Sequence, residues 1–272
     1  MQKKLLYVSL FFFFGLEVFG SGISLHVWMA KEAILRVKDP QLQSFLTCHH
    51  EKVYNGAFFP DSGWHSGYAE EAHWPAFNNA YLKSIKDKCR TEEGRMTLRG
   101  ECGFIAAHFL GVMAHMLGDR SFDSKFLWEW KKRGLASSVS AAQNIADEGM
   151  DVLALWDSRN DIHFDIPTFY APTKHLVGVF GAMNHTVNGN PLTVEDIECG
   201  VDITWWALIL ERWYALLKLS HFQKIVPQWA KDNYVKGPGG VYDSADEIAE
   251  FWDEREGGFF LAGRSGEALV CE

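Results

Sequence analysis

Apolar residues recur along the chain mainly at intervals of three and four positions, the spacing that places them on one face of a helix. This spacing predicts nine helices, at His26–Val37, Gln41–Glu51, Trp74–Asp87, Glu101–Gly118, Ser121–Lys132, Ser138–Trp156, Pro172–Ala182, Val194–Ser220 and Ala245–Trp252. No stretch shows the convincing alternation of apolar and polar residues that is typical of a strand. The pattern therefore predicts one all-α domain.

The first twenty residues have the pattern of a secretory signal peptide. Two lysines precede a largely apolar run of ten residues at 5–14, which is shorter than the ~20 residues that span a bilayer as a helix. Val18 and Gly20 are small enough to occupy positions −3 and −1 of a cleavage site before Ser21. We expect residues 21–272 to form a mature, secreted domain. An uncleaved anchor is the alternative, and no later stretch is expected to span a membrane.

The overall charge narrows the classes of function. Lys and Arg number 26 and Asp and Glu number 35, which gives a formal net charge of −9, and 47% of the 272 residues are apolar. This apolar fraction is ordinary for a packed globular protein and excludes a disordered or collagen-like chain. The acidic balance argues against binding of nucleic acid through a broad basic surface. It does not exclude a small phosphate site dominated by bound cations.

The cysteines and a glycosylation motif are consistent with export. The five cysteines are Cys48, Cys89, Cys102, Cys199 and Cys271. In an oxidising compartment at least one pair is expected, and an odd number leaves one over. None lies in a Cys-x-x-Cys motif, so a zinc site built from thiolates is not expected. Asn184 begins the motif Asn-His-Thr, which predicts a glycosylated, exposed loop.

Two pairs of polar residues lie four positions apart on predicted helices. His115 and Asp119 share one face of an otherwise apolar helix, and Asp123 extends that stripe if the helix continues. A carboxylate on an apolar face is costly unless it is paired or binds a cation. Gln143 and Asp147 have the same spacing. The alternatives are a buried His–Asp pair for the first and a solvated acidic face for the second.

Three further residues could join these pairs. Asp61 follows an apolar run and a proline in a predicted loop that begins at Gly56. His73 lies just before the predicted start of a helix. His26 lies five residues after Ser21, whose amino group is created only by cleavage and could then bind a metal.

Four segments, in this order, resemble the zinc-dependent phospholipase C family. They are Gly22-Ile-Ser-Leu-His26, Gly56-Ala-Phe-Phe-Pro-Asp61, Ala72-His73-Trp-Pro-Ala-Phe77 and Phe109-Leu-Gly-x-x-x-His115-x-x-x-Asp119. Each segment is weak alone, but four in order are a strong signal. Within the family, the chain is most similar to the N-terminal catalytic domain of glycosylphosphatidylinositol-specific phospholipase D. The resemblance implies an all-helical domain, of a type shared with single-strand-specific nucleases, built around three zinc ions.

The resemblance also implies three sets of metal ligands. The first zinc would be held by Asp61, His73, His115 and Asp119. The second would be held by the amino and carbonyl groups of Ser21, by His26 and by Asp119, which bridges the two ions. The third set is Asp123, Gln143 and Asp147.

The third set departs from the family pattern, because the family usually has histidine at the first two of its positions. Carboxylate and amide oxygens suit harder cations than zinc, such as magnesium, calcium or manganese. The third ion is therefore absent, or it is a harder cation, or another histidine such as His163 or His108 replaces the missing ligand. The cofactor expected is two or three zinc ions, with the third site in doubt.

The function implied is hydrolysis of a phospholipid or glycosylphosphatidylinositol phosphodiester, with Asp61 orienting or deprotonating the attacking water. Phe59, Trp64 and His65 are candidate substrate contacts, and a transient contact with a membrane surface is expected. Core packing is the favoured interpretation for Trp74 and Trp206. The alternatives are a single-strand nuclease and a non-catalytic lipid- or glycan-binding relative, and C-type and D-type cleavage both remain open.

Overall fold

Helices dominate the computed structural model, which describes residues 22–63, 67–90, 96–157 and 170–257. The α-helices are α1 (Ile23–Arg36), α2 (Pro40–Cys48), α3 (His50–Ser62), α4 (Ala69–Ala72), α5 (Pro75–Cys89), α6 (Glu101–Ser121), α7 (Trp128–Lys132), α8 (Val139–Leu155), α9 (Thr173–Ala182), α10 (Val194–Ile225), α11 (Gln228–Asn233) and α12 (Val241–Phe251). Segments Phe122–Leu127 and Trp252–Gly257 are π-helical, and the strands Thr186–Val187 (β1) and Asn190–Pro191 (β2) pair as an antiparallel hairpin. The predicted all-α fold class is confirmed.

The segment from Gly56 to Asp61 differs from its prediction as a loop. It forms the second half of α3, and Pro60 and Asp61 lie in the last turn of that helix. Glycine and proline are ordinary loop signals, but packing against neighbouring elements can override local preference. The predicted helix Gln41–Glu51 is divided between two helices in the structure, since α2 ends at Cys48 and α3 begins at His50.

Two glycines let α3 and α6 cross with their backbones in contact. A β-carbon on Gly56 would lie 2.0 Å from the carbonyl oxygen of His108 in α6, and one on Gly111 would lie 2.0 Å from a carbonyl oxygen of α3. No larger residue fits at either position without moving a helix. The close crossing brings the end of α3, with Asp61, beside the half of α6 that carries His115.

Helix α6 lies at the centre of the core, and most of its residues are buried. By length and composition alone, segment Glu101–Lys132 is apolar enough to cross a membrane. This differs from the expectation that no stretch after the signal peptide has such a composition. However, 78% of its most apolar window is buried inside the protein. A central core helix has the same composition.

One disulfide joins the end of α5 to the start of α6. Cys89 and Cys102 are bonded, with their Cα atoms 5.7 Å apart, so the expectation of at least one pair is confirmed. Cys48 is also disulfide-bonded, whereas Cys271 lies outside the described residues. Asn184, the predicted glycosylation site, is exposed in the turn after α9.

Candidate metal centre

Five histidine and aspartate side chains from separate parts of the chain meet in one place, and we call this cluster the candidate metal centre. Its members are His26 from α1, Asp61 from α3, His73 from the turn after α4, and His115 and Asp119 from α6. The sequence predicted that these five residues would converge. Two groups within the cluster, Asp61–His73–His115 and His26–His115–Asp119, each have ligand atoms within 4.8 Å of one another.

The first group surrounds a space between two imidazoles and a carboxylate. The Nε2 atoms of His73 and His115 lie 3.1 Å apart. Oδ1 of Asp61 lies 3.4 Å from Nε2 of His73 and 3.8 Å from Nε2 of His115. Imidazole nitrogens and carboxylate oxygens that face one another in this way are a donor set suited to zinc.

The two oxygens of Asp119 face different members of the cluster. Oδ1 lies 3.0 Å from Nε2 of His26, whereas Oδ2 lies 3.2 Å from Nε2 of His115 and 3.9 Å from Nε2 of His73. A carboxylate arranged in this way has the orientation required to bridge two cations. The i,i+4 spacing on α6 brings His115 and Asp119 together, but only the approach of α1 supplies His26.

The orientation of the His115 ring is set by the backbone. Its Nδ1 lies 2.7 Å from the carbonyl oxygen of Ala57, which can only accept a hydrogen bond. Nδ1 therefore carries the proton and, in the neutral ring, Nε2 presents its lone pair to Asp61 and Asp119. The ring also stacks on that of His26, with centroids 3.8 Å apart.

Asp61 provides the test of whether the cluster fits a cation. The residue is only 5% exposed, and neither of its carboxylate oxygens accepts a hydrogen bond within the part of the chain that the structure describes. A buried carboxylate in this state is costly unless a cation or a charged partner compensates it. The lone pair of His115 faces the same space, so the residues present fit a zinc ion there.

The charges of His26 and Asp119 are coupled. Burial disfavours the charged imidazolium of His26, but the adjacent Asp119 carboxylate outweighs this and raises the pKa of His26. Burial also disfavours charge on Asp119, yet His115 and His26 together hold its pKa well below the usual range. Asp119 is therefore an anion at neutral pH, as a metal ligand must be.

The predicted third set lies on one small pocket beside the candidate metal centre. Asp123, Gln143 and Asp147 line it together with His26 and Asp119. Asp123 reaches the pocket from the π-helical turn that follows α6, and the other two come from one face of α8. The structure thus brings the third set together and next to Asp119.

The carboxyl groups of this pocket disfavour one another's ionisation. Burial and the nearby charge of Asp119 raise the pKa of Asp123 to about 6. Burial, followed by the charges of Asp123 and Asp119, raises the pKa of Asp147 to about 8. Without a bound cation, Asp147 is therefore mostly protonated at neutral pH. The predicted alternative of a solvated acidic face does not hold for Asp147, which faces this pocket.

Other predicted site residues lie elsewhere. Phe59 is fully buried in the core, stacked on Tyr68, so the prediction that it contacts substrate is wrong. The reason is that Phe59 lies inside α3 and not in a loop. His108, a proposed substitute ligand, is fully buried with its Nδ1 3.1 Å from the hydroxyl of Tyr81. Predicted residues outside the described part of the chain are Ser21, Trp64, His65 and His163.

Two tryptophans interpreted as core residues are in fact exposed. Trp74, next to His73, is 53% exposed, and its indole N–H donates to Glu70. Trp206 is 46% exposed. Helical spacing and a large apolar side chain could not reveal which face of an element meets solvent.

Two contacts in the neighbourhood of the centre were not predicted. The carbonyl of Ala57 orients His115, and no side-chain pattern could have indicated it. Asp151 accepts hydrogen bonds from the backbone at the start of α1. Its position one turn after Asp147 was the signal in the sequence that the two side chains share a face of the helix.

Comparison with known proteins agrees with part of this geometry. Residues 25–122 match the sequence model of a family described as zinc dependent phospholipase C. The match covers about a third of the chain and contains all five residues of the candidate metal centre, whereas Asp123, Gln143 and Asp147 lie beyond it. The match supports zinc and a phospholipase C-type enzyme. No curated protein and no solved structure matches the chain.

Proposed function

We propose that this protein is a zinc-dependent phosphodiesterase that hydrolyses phospholipids. The observation that carries the proposal is the buried Asp61 carboxylate, which accepts no hydrogen bond from any described residue while it faces Nε2 of His73 and His115. The family match over residues 25–122 supports the same reaction class. Phosphodiester hydrolysis needs positive charge at the reacting oxygens, and the side chains of this cluster could hold the cations that supply it.

The residues divide into two overlapping ligand sets. Asp61, His73, His115 and Asp119 would hold one zinc, and His26 with Asp119 would hold a second, together with the amino and carbonyl groups of Ser21. When bound, zinc supplies Lewis-acid polarisation of the phosphoryl oxygen and lowers the pKa of water to about 7. His115 is held for this task by Ala57, and Asp119 is kept ionised by the two histidines it faces.

Asp61 is the residue we assign to the attacking water. It is the one member of the centre that lies at the end of α3, and its second oxygen, Oδ2, is buried and accepts no hydrogen bond from the described residues. That oxygen can accept a hydrogen bond, and then the proton, from a water molecule. The hydrogen bond orients a lone pair of the water oxygen towards phosphorus. The negative charge of Asp119 stays in place during this step, since its pKa is low.

Lipid contact is proposed at the rim of the centre. Trp74 follows His73 directly, and the exposed indole can enter the interfacial region of a membrane, where an amphipathic ring is favourable. Transient binding to a lipid surface would place the headgroup phosphate near His73. Export of the mature chain after cleavage before Ser21, with a glycan on the exposed Asn184, would give it access to extracellular lipid.

Within this function, the finer proposal is a phosphoinositol-glycan substrate. It rests on the resemblance of the four ligand segments to the catalytic domain of glycosylphosphatidylinositol-specific phospholipase D. A second candidate is a non-catalytic lipid- or glycan-binding relative. The specific observation that favours it is the oxygen-only third set, in which Asp123 and Gln143 stand where the family usually has histidine.

One set of measurements tests these proposals. Purified mature protein is analysed for zinc by elemental analysis and then incubated with phosphatidylcholine, a glycosylphosphatidylinositol-anchored protein and single-stranded DNA. The Asp61→Asn variant and the wild-type protein treated with a chelator are the controls. Zinc-dependent release of lipid products that Asp61→Asn loses supports the proposed function, and release of diacylglycerol or phosphatidate identifies which bond breaks.

Other outcomes contradict it. Zinc without hydrolysis of any substrate supports the non-catalytic relative, and cleavage of DNA alone supports a nuclease. A wild-type protein that holds no zinc rules out the proposed function and the metal-dependent nuclease.

A further inference from the structure

Helix α1 begins without a capping side chain of its own. Its N-cap residue is Gly22, which adopts a left-handed conformation with φ 59° and has no side chain to accept from the first turn. The backbone N–H groups of a first turn have no partner within the helix, and burying them unpaired is costly. Gly22 and the residues after it are buried, so this helix needs an acceptor from elsewhere.

Asp151 of α8 is that acceptor. Its Oδ2 accepts from the N–H of Ser24 at 3.2 Å, and its Oδ1 accepts from the N–H of Leu25 at 2.9 Å. The residue is only 3% exposed, so its charge interacts strongly with the N-terminal end of the helix dipole. One turn earlier in α8, the carbonyl of Asp147 accepts from the N–H of Gly22 at 3.2 Å.

The position of His26 depends on these hydrogen bonds at the start of α1, whereas the position of His115 does not. The carbonyl of Ala57 holds Nδ1 of His115, but Nδ1 of His26 is buried and has no hydrogen-bond partner among the residues described. The position of the His26 ring is therefore set by the backbone of α1, by stacking on His115 and by the contact of its Nε2 with Asp119. Since His26 follows Leu25 directly, a shift of the first turn moves its Nε2 away from Asp119.

We propose that Asp151 is a positioning residue for the second ion of the candidate metal centre. By accepting the N–H groups of Ser24 and Leu25, its carboxylate fixes the start of α1. His26 is thereby held towards Asp119. This inference rests on the proposed function, because it assumes that a cation binds between His26 and Asp119. Gly22 lines the same pocket as His26 and Asp119.

The structure offers a matched control for the helix cap itself. Oδ1 of Asp39 accepts from the N–H groups of Gln41 at 2.8 Å and Leu42 at 3.0 Å, and so caps α2 from the N-cap position of that helix. Helix α2 carries no member of the candidate metal centre. Removing either carboxylate weakens a helix start, but only Asp151→Ala releases His26.

The experiment compares metal binding by the wild-type mature protein, Asp151→Ala, Asp151→Asn and Asp39→Ala. Zinc per chain is measured by elemental analysis after dialysis, affinity by competition with a chromophoric chelator, and ligand geometry by the absorption spectrum of the cobalt-substituted protein. We expect Asp151→Ala to bind one of the ions about 10–100-fold more weakly, as loss of a residue that orients a ligand typically does. The ion held by Asp61, His73 and His115 is retained. Asp39→Ala keeps the wild-type affinities and spectrum.

Asp151→Asn provides a second measurement if Asp151→Ala does not fold. An amide keeps one acceptor oxygen and turns a donor towards the other N–H, so an intermediate loss of the same ion supports the inference. If both Asp151 variants keep the wild-type zinc content, affinities and cobalt spectrum, as Asp39→Ala does, the inference is overturned while the proposed function stays intact. A wild-type protein without zinc would overturn both.

Discussion

Nδ1 of His115 donates a hydrogen bond of 2.7 Å to the carbonyl oxygen of Ala57, across the crossing of α6 and α3. The contact assigns the ring proton to Nδ1 and leaves Nε2 as the atom that faces Asp61, His73 and Asp119. A backbone carbonyl thus decides which nitrogen of a candidate ligand is available to a cation.

The first prediction concerns this tautomer. In the zinc-loaded protein we expect the His115 ring to keep its proton on Nδ1 and to coordinate through Nε2, because the Ala57 carbonyl cannot donate. Two-bond proton–nitrogen correlation spectra of ¹⁵N-labelled protein distinguish the two tautomers. A proton on Nε2 in the loaded protein would contradict both the hydrogen bond and the assignment of His115 as a ligand.

The second prediction tests the bridging geometry of Asp119. Asp119→Asn replaces one carboxylate oxygen by an amide that cannot ligate in the same way, so both zinc sites weaken. We expect zinc per chain to fall and lipid hydrolysis to fall by more than about 100-fold, since loss of metal exceeds the usual effect of losing a general base. The control is Asp87→Asn, an exposed aspartate on α5. Undiminished zinc and turnover in Asp119→Asn would rule out the bridge.

The third prediction addresses the oxygen-only third set. Gln143→His places an imidazole on the wall of the pocket that Asp123 also lines, and imidazole binds zinc better than an amide does. We expect the variant to hold more zinc per chain than the wild-type protein, as measured by elemental analysis. Asn144→His, on the exposed side of α8, is the matched control. No gain in Gln143→His indicates a site that the chain has abandoned or fills with a harder cation.

The fourth prediction concerns the exposed tryptophan beside His73. Trp74→Ala removes an indole that is 53% exposed and whose N–H donates a hydrogen bond to Glu70. We expect binding to phosphatidylcholine vesicles, and hydrolysis of them, to fall several-fold, whereas hydrolysis of a water-soluble phosphodiester stays unchanged. Trp128→Ala, at a tryptophan of similar exposure on α7, is the control. An equal effect on both substrates would place Trp74 in the chemistry instead of the lipid contact.

The fifth prediction follows from two buried histidines outside the candidate metal centre. Burial, and then the charge of His175, lower the pKa of His108 to about 3. In the unfolded chain this histidine binds a proton below about pH 6.5, whereas in the folded protein it stays neutral. His108 therefore does not affect the free energy of unfolding at high pH, and it destabilises the fold as the pH falls below about 6.5. Burial lowers the pKa of His175 to about 4, with the same sign.

We therefore expect His108→Gln to lose less stability on acidification than the wild-type protein. Between about pH 7 and pH 5, the difference in the free energy of unfolding amounts to about 2 kcal/mol. Urea denaturation of the metal-free proteins at the two pH values measures it, with His221→Gln, at an exposed histidine, as the control. Parallel pH profiles for the wild-type protein and His108→Gln would show that His108 is not held neutral.

The helical core and the pairs within each helix could be predicted from the sequence, because a period of 3.6 residues is a local property. His115 and Asp119 share a face for that reason, and so do Gln143 and Asp147. The errors came where burial decides the outcome. Gly56 and Pro60 indicated a loop, but Gly56 is needed for the contact of α3 with α6, so the segment is helical and Phe59 is buried.

The sequence by itself determined the fold class and the residue types of the candidate metal centre, because helical periodicity and a few ordered motifs are written along the chain. Only the tertiary structure decided how those residues are oriented. Ala57 and His115 are 58 positions apart, and Leu25 and Asp151 are 126 apart. Such contacts form when helices pack and bury backbone donors and acceptors that must then be paired. Which distant groups pair depends on where the helices cross, and no local pattern of residues contains that information.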